Sequence, residues 1–173
     1  MNLILETERL LLRPIELSDA EVLINIKCYP NGIAVKGYSI ADTLGKCINN
    51  IKMLLDEYDN YQIGRLAVIN KGNNELVGWA GLRYNPDVFG HGHGLGFCDF
   101  DFSFKDEYNN IEYLDECVNE LILQAFKTNN IDVIYTKPIQ KNGFEFEVYS
   151  KLNSKEIGFN ENTNFTTFRI TKK

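Results

Sequence analysis

Asp99 and Asp101 alternate with Phe100, Phe102 and Phe104, so an extended strand here puts carboxylates on one face and rings on the other. A carboxylate displayed in this way can take a proton from a neighbouring group, directly or through a water. The plainer alternative is a solvated strand face. His91 and His93 alternate inside the glycine-rich stretch 85–94. A metal ion would require a third ligand at defined spacing, and none stands near them. They are read as exposed loop histidines, able to line a ligand pocket. Cys98 has no His and Asp arranged to activate it as a nucleophile and is assigned to the core. Asn142 and Tyr149 lie seven positions apart, about two helical turns; read plainly, Asn142 is a helix N-cap and Tyr149 a packing residue.

Several elements must position these groups. Arg9–Arg13 reads as a short buried strand ended by Pro14. Ser18-Asp19-Ala20-Glu21 fits a capping box opening a helix to about Cys28. A second helix is expected from about residue 40 to 58, with Leu44, Ile48, Ile51, Leu55 and Tyr58 on one stripe. Gln62–Asn70 and Glu75–Tyr84 are strands joined by the turn residues Lys71-Gly72-Asn73-Asn74. Leu95–Phe104 is the strand carrying the aspartates. A helix over Ile111–Thr128 turns Leu114, Val118, Leu121, Ile122, Ala125 and Phe126 inward. A short strand at Ile131–Thr136, a helix at Asn142–Leu152 with Glu145 three residues after its cap, and a strand at Phe165–Thr171 complete the order β-α-α-β-β-β-α-β-α-β. No repeat or linker divides it, so residues 1–173 are read as one domain, a mixed sheet with helices on both faces.

The chain has 173 residues, 44% of them hydrophobic and 24% charged, the balance of a soluble globular protein. A domain this long buries roughly 70% of its unfolded surface and needs no covalent staples. The four cysteines show no metal or redox spacing, and reduced thiols in a cytoplasmic protein are expected. The net charge of −6 argues against nucleic-acid or anionic-membrane partners and mildly favours a cationic one. No stretch reaches the roughly 18 apolar residues of a membrane span, and no signal peptide is visible.

Several stretches carry a resemblance. Thr7-Glu8-Arg9-Leu10-Leu11-Leu12-Arg13-Pro14 with Ser18-Asp19-Ala20, then Gln62–Ile69, Leu76–Leu82, Gly96-Phe97, and finally Asn142, Tyr149, Lys151, Leu152 and Gly158-Phe159, run in the order seen in the GNAT N-acetyltransferase superfamily. They are most similar to its branch of ribosomal-protein N-terminal acetyltransferases, and the likeness spans nearly the whole chain. It implies an α/β (α+β) GNAT fold, with a central mixed, mostly antiparallel sheet of six to seven strands flanked by about four helices. It also implies transfer of an acetyl group from acetyl-CoA to a primary amine, on a protein N-terminus or a small molecule, without a metal. Dimers are common in the family, so a homodimer is allowed.

By the family's pattern Tyr149 is the general acid for the thiolate and Asn142 hydrogen-bonds near the CoA arm. Asp99 and Asp101 are then candidates for the base. Backbone groups of Phe102, Ser103 and Phe104 would meet the acetyl carbonyl and pantetheine, and the segment Asn109, Asn110, Ile111, Glu112, Tyr113 the pyrophosphate. Two departures stand out. The family's Gln/Arg-x-x-Gly-x-Gly/Ala loop is Lys105–Tyr113 here, with Asn110 and Glu112 in the glycine places. Asn110, tolerant of left-handed backbone, can keep the turn, whereas Glu112 adds a like charge at an anion site. The other is the extra Asn153–Ile157, read as lengthening the turn after the last helix, while Glu145 stands where the family has Ser. These departures leave two further readings: a GNAT-fold binding or sensor module without catalysis, and an acyltransferase with a different donor or a shifted pyrophosphate site.

Overall fold

The computed structural model describes residues 3–26, 43–61, 63–85, 97–128, 131–136, 143–160 and 165–172. The elements are β1 (Leu5–Glu6), β2 (Leu10–Pro14), a 3-10 turn (Leu17–Asp19), α1 (Ala20–Leu23), α2 (Leu44–Tyr61), β3 (Arg65–Asn70) and β4 (Glu75–Asn85). They continue with β5 (Phe97–Phe104), a 3-10 turn (Asp106–Tyr108), α3 (Ile111–Thr128), β6 (Val133–Thr136), α4 (Phe144–Lys151), β7 (Ser154–Asn160) and β8 (Phe165–Thr171). One eight-stranded sheet runs β1-β2-β3-β4-β5-β6-β8-β7, antiparallel throughout except for β5 and β6. This is the mixed α/β architecture that the order of elements leads one to expect, extended by two strands.

The sheet divides two apolar layers. On one face Leu10, Leu12, Leu66, Val68, Ala80, Phe100 and Phe104 meet Leu114, Cys117, Val118, Leu121, Ile122 and Ala125 of α3 and Val148 and Tyr149 of α4. On the other Ala67, Ile69 and Leu76 meet Ala20 of α1 and Cys47, Ile51 and Leu54 of α2. The inward residues expected of α3 are all buried. In α2 Ile51 and Tyr58 of the expected stripe are buried, but Cys47 and Leu54 join them in place of Leu44, Ile48 and Leu55, and Leu44 is 41% exposed. A helix bearing apolar residues at both i and i+1 can turn either towards the sheet, and the packing against Ala20 and Ile69 chooses.

Three local expectations are corrected. The first helix is only Ala20–Leu23 after its 3-10 turn, and Ser18 is not its cap. The N-cap of the 3-10 turn is Glu16 instead, in a capping box whose third residue is Asp19: the Asp19 carboxylate accepts the Glu16 N–H at 2.8 Å and two bonds from the Arg13 guanidinium at 2.7 Å. The last helix starts after Gly143, with no side-chain cap, and Asn142 lies outside the described residues. Asn153–Ile157 is no longer turn: Ser154 already opens β7, which pairs along β8 with a register shift between Glu156 and Gly158, at Ile157. The Asn153 side chain donates to the Thr171 carbonyl and hydroxyl at 3.1 and 3.0 Å, closing that end of the pair.

Two expected results follow from the packing. Gly81 sits opposite Arg65, and a Cβ there would lie 2.3 Å from the Gly64 carbonyl oxygen and 2.5 Å from Arg65 Cα, both backbone atoms. Gly81→Ala must spread β3 from β4, and a thermal melt should show a loss of about 1–3 kcal/mol or more. Tyr58 is 2% exposed, with its hydroxyl accepting the Ile15 N–H at 3.4 Å. Burial pushes its phenol up to about 12, against the smaller opposing effect of that bond. The neutral phenol is therefore favoured by folding. Its contribution, about 2–3 kcal/mol, is whole below pH 10 and is lost as pH rises from about 10 to 12. Urea midpoints measured from pH 8 to 12 should fall, and fall less steeply in Tyr58→Phe.

Candidate active site where two parallel strands part

β5 and β6 lie side by side in parallel, yet they pair only at Cys98–Ile134 and Asp99–Tyr135. Beyond Asp99, β5 runs on through Phe104 with no strand on that side among the described residues, while β6 ends at Thr136. The hydrogen-bond phase tells which groups this exposes. Lys105 N–H donates to the Val77 carbonyl at 2.8 Å, in register with the pairs Ser103–Trp79 and Asp101–Gly81. Odd-numbered residues of β5 thus bond to β4, and the backbone edge of Phe100, Phe102 and Phe104 faces the gap. An extended amide-bearing chain can add to such an edge much as another strand would. Of the sequence candidates, Phe102 and Phe104 present backbone to the gap, whereas Ser103 points its backbone to β4 and its side chain is buried.

Tyr149 of α4 closes the inner side of the gap. It is 2% exposed, its ring 6.3 Å from Phe100 in an edge-on arrangement and 6.3 Å from Phe168. Its hydroxyl is hydrogen-bonded to the side chain of Thr136, the last residue of β6. Burial pushes this phenol far up; the Thr136 bond opposes that, and the charges of Glu145 and Asp101 add to it. The ring packs in the core, and its hydroxyl lies beside the end of β6.

On the opposite face of β5, Asp101 is exposed and doubly held. One carboxylate oxygen accepts the Phe102 N–H at 3.0 Å, and the other pairs with the Arg65 guanidinium at 3.2 Å. Arg65, Gly81 and Asp101 stand in one cross-strand row, and the missing side chain at Gly81 lets the arginine reach across β4. Arg65 is buried and lies over the Trp79 ring at 5.1 Å. Asp99 shares the strand face by register, between Arg83 and Tyr135. Sequence reasoning passed over Arg65; the signal was a charge inside the otherwise apolar run of β3. Thr136 carried no signal of its own.

The loop from Lys105 to Tyr113 is closed on itself. Tyr108, Asn109 and Asn110 N–H groups donate to the carbonyls of Lys105, Asp106 and Tyr108 at 2.9, 3.3 and 3.0 Å. The Asn110 side-chain oxygen accepts the N–H groups of Glu112 and Tyr113 at 3.1 and 3.3 Å, which makes it the N-cap of α3. Asn110 thus keeps the turn through its side chain and without left-handed backbone; Asn74, in the hairpin turn, is the non-glycine with positive φ among the described residues. Glu112 is turned to Arg9, whose guanidinium also binds Glu116 and lies over the Tyr113 ring at 5.4 Å. Burial raises Glu116, but bonds from Thr7 and Arg9 outweigh it and hold the carboxyl below its ordinary range. The Glu116 bond does most to raise the Arg9 guanidinium. Lys105 and the Tyr108 hydroxyl are tied to Glu75, which they lower. Ile111 opens α3 behind this turn, packed against the core.

Some candidates fall elsewhere. His91 and His93 lie outside the described residues, and among the described ones no group of three His, Cys, Asp or Glu side chains is placed to hold a metal. Cys98 is buried in the core, as assigned. A small pocket is lined by Leu3, Ile63 and Leu82 together with Leu121 and Gln124 of the C-terminal half of α3. Among the described residues, no helix is long and apolar enough to cross a membrane.

The same architecture recurs in solved structures. A protein assigned to the GNAT-family acetyltransferases in Bordetella pertussis superposes with a TM-score of 0.76 at 13% identity, covering 98% of this chain and 100% of that one. The ribosomal-protein-S5-alanine acetyltransferase from Vibrio fischeri does so with a TM-score of 0.72 at 17% identity, over 99% and 96%. The microcin C7 self-immunity acetyltransferase, solved in complex with acetyl-CoA and AMP, gives 0.68 at 13% identity, over 96% and 94%. At these identities the likeness is one of fold. No curated protein matches the sequence. The family evidence comes from the sequence itself: residues 9–155, from Arg9 through the parted strands and α4, match the model of the acetyltransferase (GNAT) domain. The chain belongs to the GNAT acetyltransferase family.

Proposed function

We propose that the chain transfers an acetyl group from acetyl-CoA to a primary amine, on a protein N-terminus or a small molecule, by direct attack within a ternary complex. The observation that carries this reading is the parting of β5 from β6 after Asp99 and Tyr135, with the Tyr149 phenol at its inner side. The thioester end of the donor fits there. The pantetheine arm would lie along the Phe100–Phe104 edge, and the acetyl carbonyl would accept the Phe102 N–H now given to Asp101. That exchange frees one oxygen of Asp101, while Arg65 keeps the carboxylate at the mouth of the gap.

The reaction then follows from the groups present. Asp101, directly or through a water, takes the proton from the acceptor's ammonium group, with Asp99 next along the same strand face as the other candidate. The amine lone pair forms the new C–N bond, and the carbonyl electrons move to an oxygen held by the Phe102 amide. As that intermediate collapses the C–S bond breaks and the thiolate departs towards the Tyr149 hydroxyl. The thiolate of a thiol with an ordinary value near 8.5 is a weaker base than the phenolate of this raised phenol, so it does not take the phenol's proton. Tyr149 therefore serves by donating a hydrogen bond to the developing thiolate, and the proton that ends on sulfur is the second one shed by the attacking nitrogen as the amide forms, the first having gone to Asp101. Holding two substrates in line supplies much of the remaining rate.

Thiol release from acetyl-CoA over a panel of primary amines and peptides tests the proposal, with turnover expected for at least one class. A second reading, a binding module without catalysis, is favoured by the internally bonded Lys105–Tyr113 loop. Binding of acetyl-CoA with no thiol release from any acceptor would establish it.

A further inference from the structure

The thioester end of acetyl-CoA fits the strand gap; its diphosphate end does not fit the loop that would receive it. Anion cradles at helix N-termini work because several backbone N–H groups point outward and unclaimed. Here the N–H groups of Glu112 and Tyr113, the second and third residues of α3, already bond the Asn110 side chain. Those of Tyr108, Asn109 and Asn110 bond carbonyls of the same turn, and that of Leu114 bonds the Asn110 carbonyl at 3.2 Å. A phosphate would have to break these bonds to reach those amides.

Charge acts in the same direction. Asp106, Glu107, Glu112, Asp115 and Glu116 line the segment against a single Lys105. Lys105 is paired with Glu75, and Arg9, the cation brought in from outside, is shared by Glu112 and Glu116. Neither guanidinium nor ammonium reaches a polyanion without giving up a carboxylate. The ties to the β3–β4 turn, through Tyr108 to Glu75 and Asn73 and through Tyr113 to Asn70, hold the loop in this form.

We infer that this enzyme grips its acyl donor by the pantetheine arm and thioester alone, so that the nucleotide end contributes little and shorter pantetheine thioesters serve equally well. This rests on the acetyl-transfer reading above.

Calorimetric titration of the purified chain with CoA, with pantetheine and with adenosine 3′,5′-bisphosphate tests it without relying on turnover. Dissociation constants for CoA and pantetheine within tenfold of each other are expected, with no heat from the bisphosphate at millimolar concentration. CoA binding more than tenfold tighter than pantetheine, or bisphosphate binding in the micromolar range, overturns the inference and leaves acetyl transfer standing. If neither CoA nor pantetheine binds at millimolar concentration, the acetyl-transfer reading fails and takes the inference with it.

Discussion

Tyr149→Phe is expected to lower kcat for thiol release by roughly 10²–10³-fold, the cost of one hydrogen-bond donor to developing charge, while the protein stays folded. The ring is 2% exposed and wedged between Phe100 and Phe168, and phenylalanine keeps that packing. What is lost is one hydroxyl and its bond to Thr136, a cost of about 1 kcal/mol to stability. Stability and rate therefore separate cleanly in this variant. An unchanged kcat would make Tyr149 a packing residue only. The pH profile adds an independent check. Since burial pushes the phenol far above its ordinary value, the wild-type rate should show no alkaline fall caused by this group below about pH 10.

Asp101→Asn is expected to lower kcat/KM by a similar roughly 10²–10⁴-fold near neutral pH. Asparagine keeps an oxygen for the Phe102 N–H but loses the charge that pairs with Arg65 and the capacity to take a proton. The diagnostic result is recovery at high pH. A lysine-like amine sheds its own proton above about pH 10 and no longer needs a base. The variant should approach wild type there, which a merely structural defect would not allow. A deficit that stays constant from pH 7 to 10 would remove Asp101 from the base role. Arg65→Gln should give a smaller loss with the same pH recovery, because it misplaces the carboxylate without removing it.

Much of this arrangement could be read along the chain. The α3 stripe from Leu114 to Phe126 and the alternation of Asp99 to Phe104 depend on periods of 3.6 and 2, which neighbouring residues carry by themselves. The hairpin at Lys71–Asn74 is equally local: Asn70 and Asn73 side chains accept the N–H groups of Gly72 and Glu75, and Asn74 takes a positive φ of 56°. The α2 stripe held at Ile51 and Tyr58 but took Cys47 and Leu54 over Leu44, Ile48 and Leu55, because adjacent faces of that helix are comparably apolar and only contact with α1 and the sheet distinguishes them. The strand at Ser154–Asn160 was hidden for a related reason. Its residues are mostly polar and gain their order from pairing with β8.

The sequence by itself determined most of the elements, their order, the family and the row of candidate groups on β5, Asp99, Asp101 and the Phe102–Phe104 backbone. Those follow from local periodicity, from turn chemistry and from motifs whose residues sit close together. Tertiary structure alone decided that Arg65 meets Asp101 across 36 positions and that Arg9 neutralises Glu112 across 103. It also decided that Tyr149 faces the gap from within and that Asn110 occupies the α3 amides. Each of these depends on which strand register and which helix face the packed core selects, and no local pattern encodes that choice.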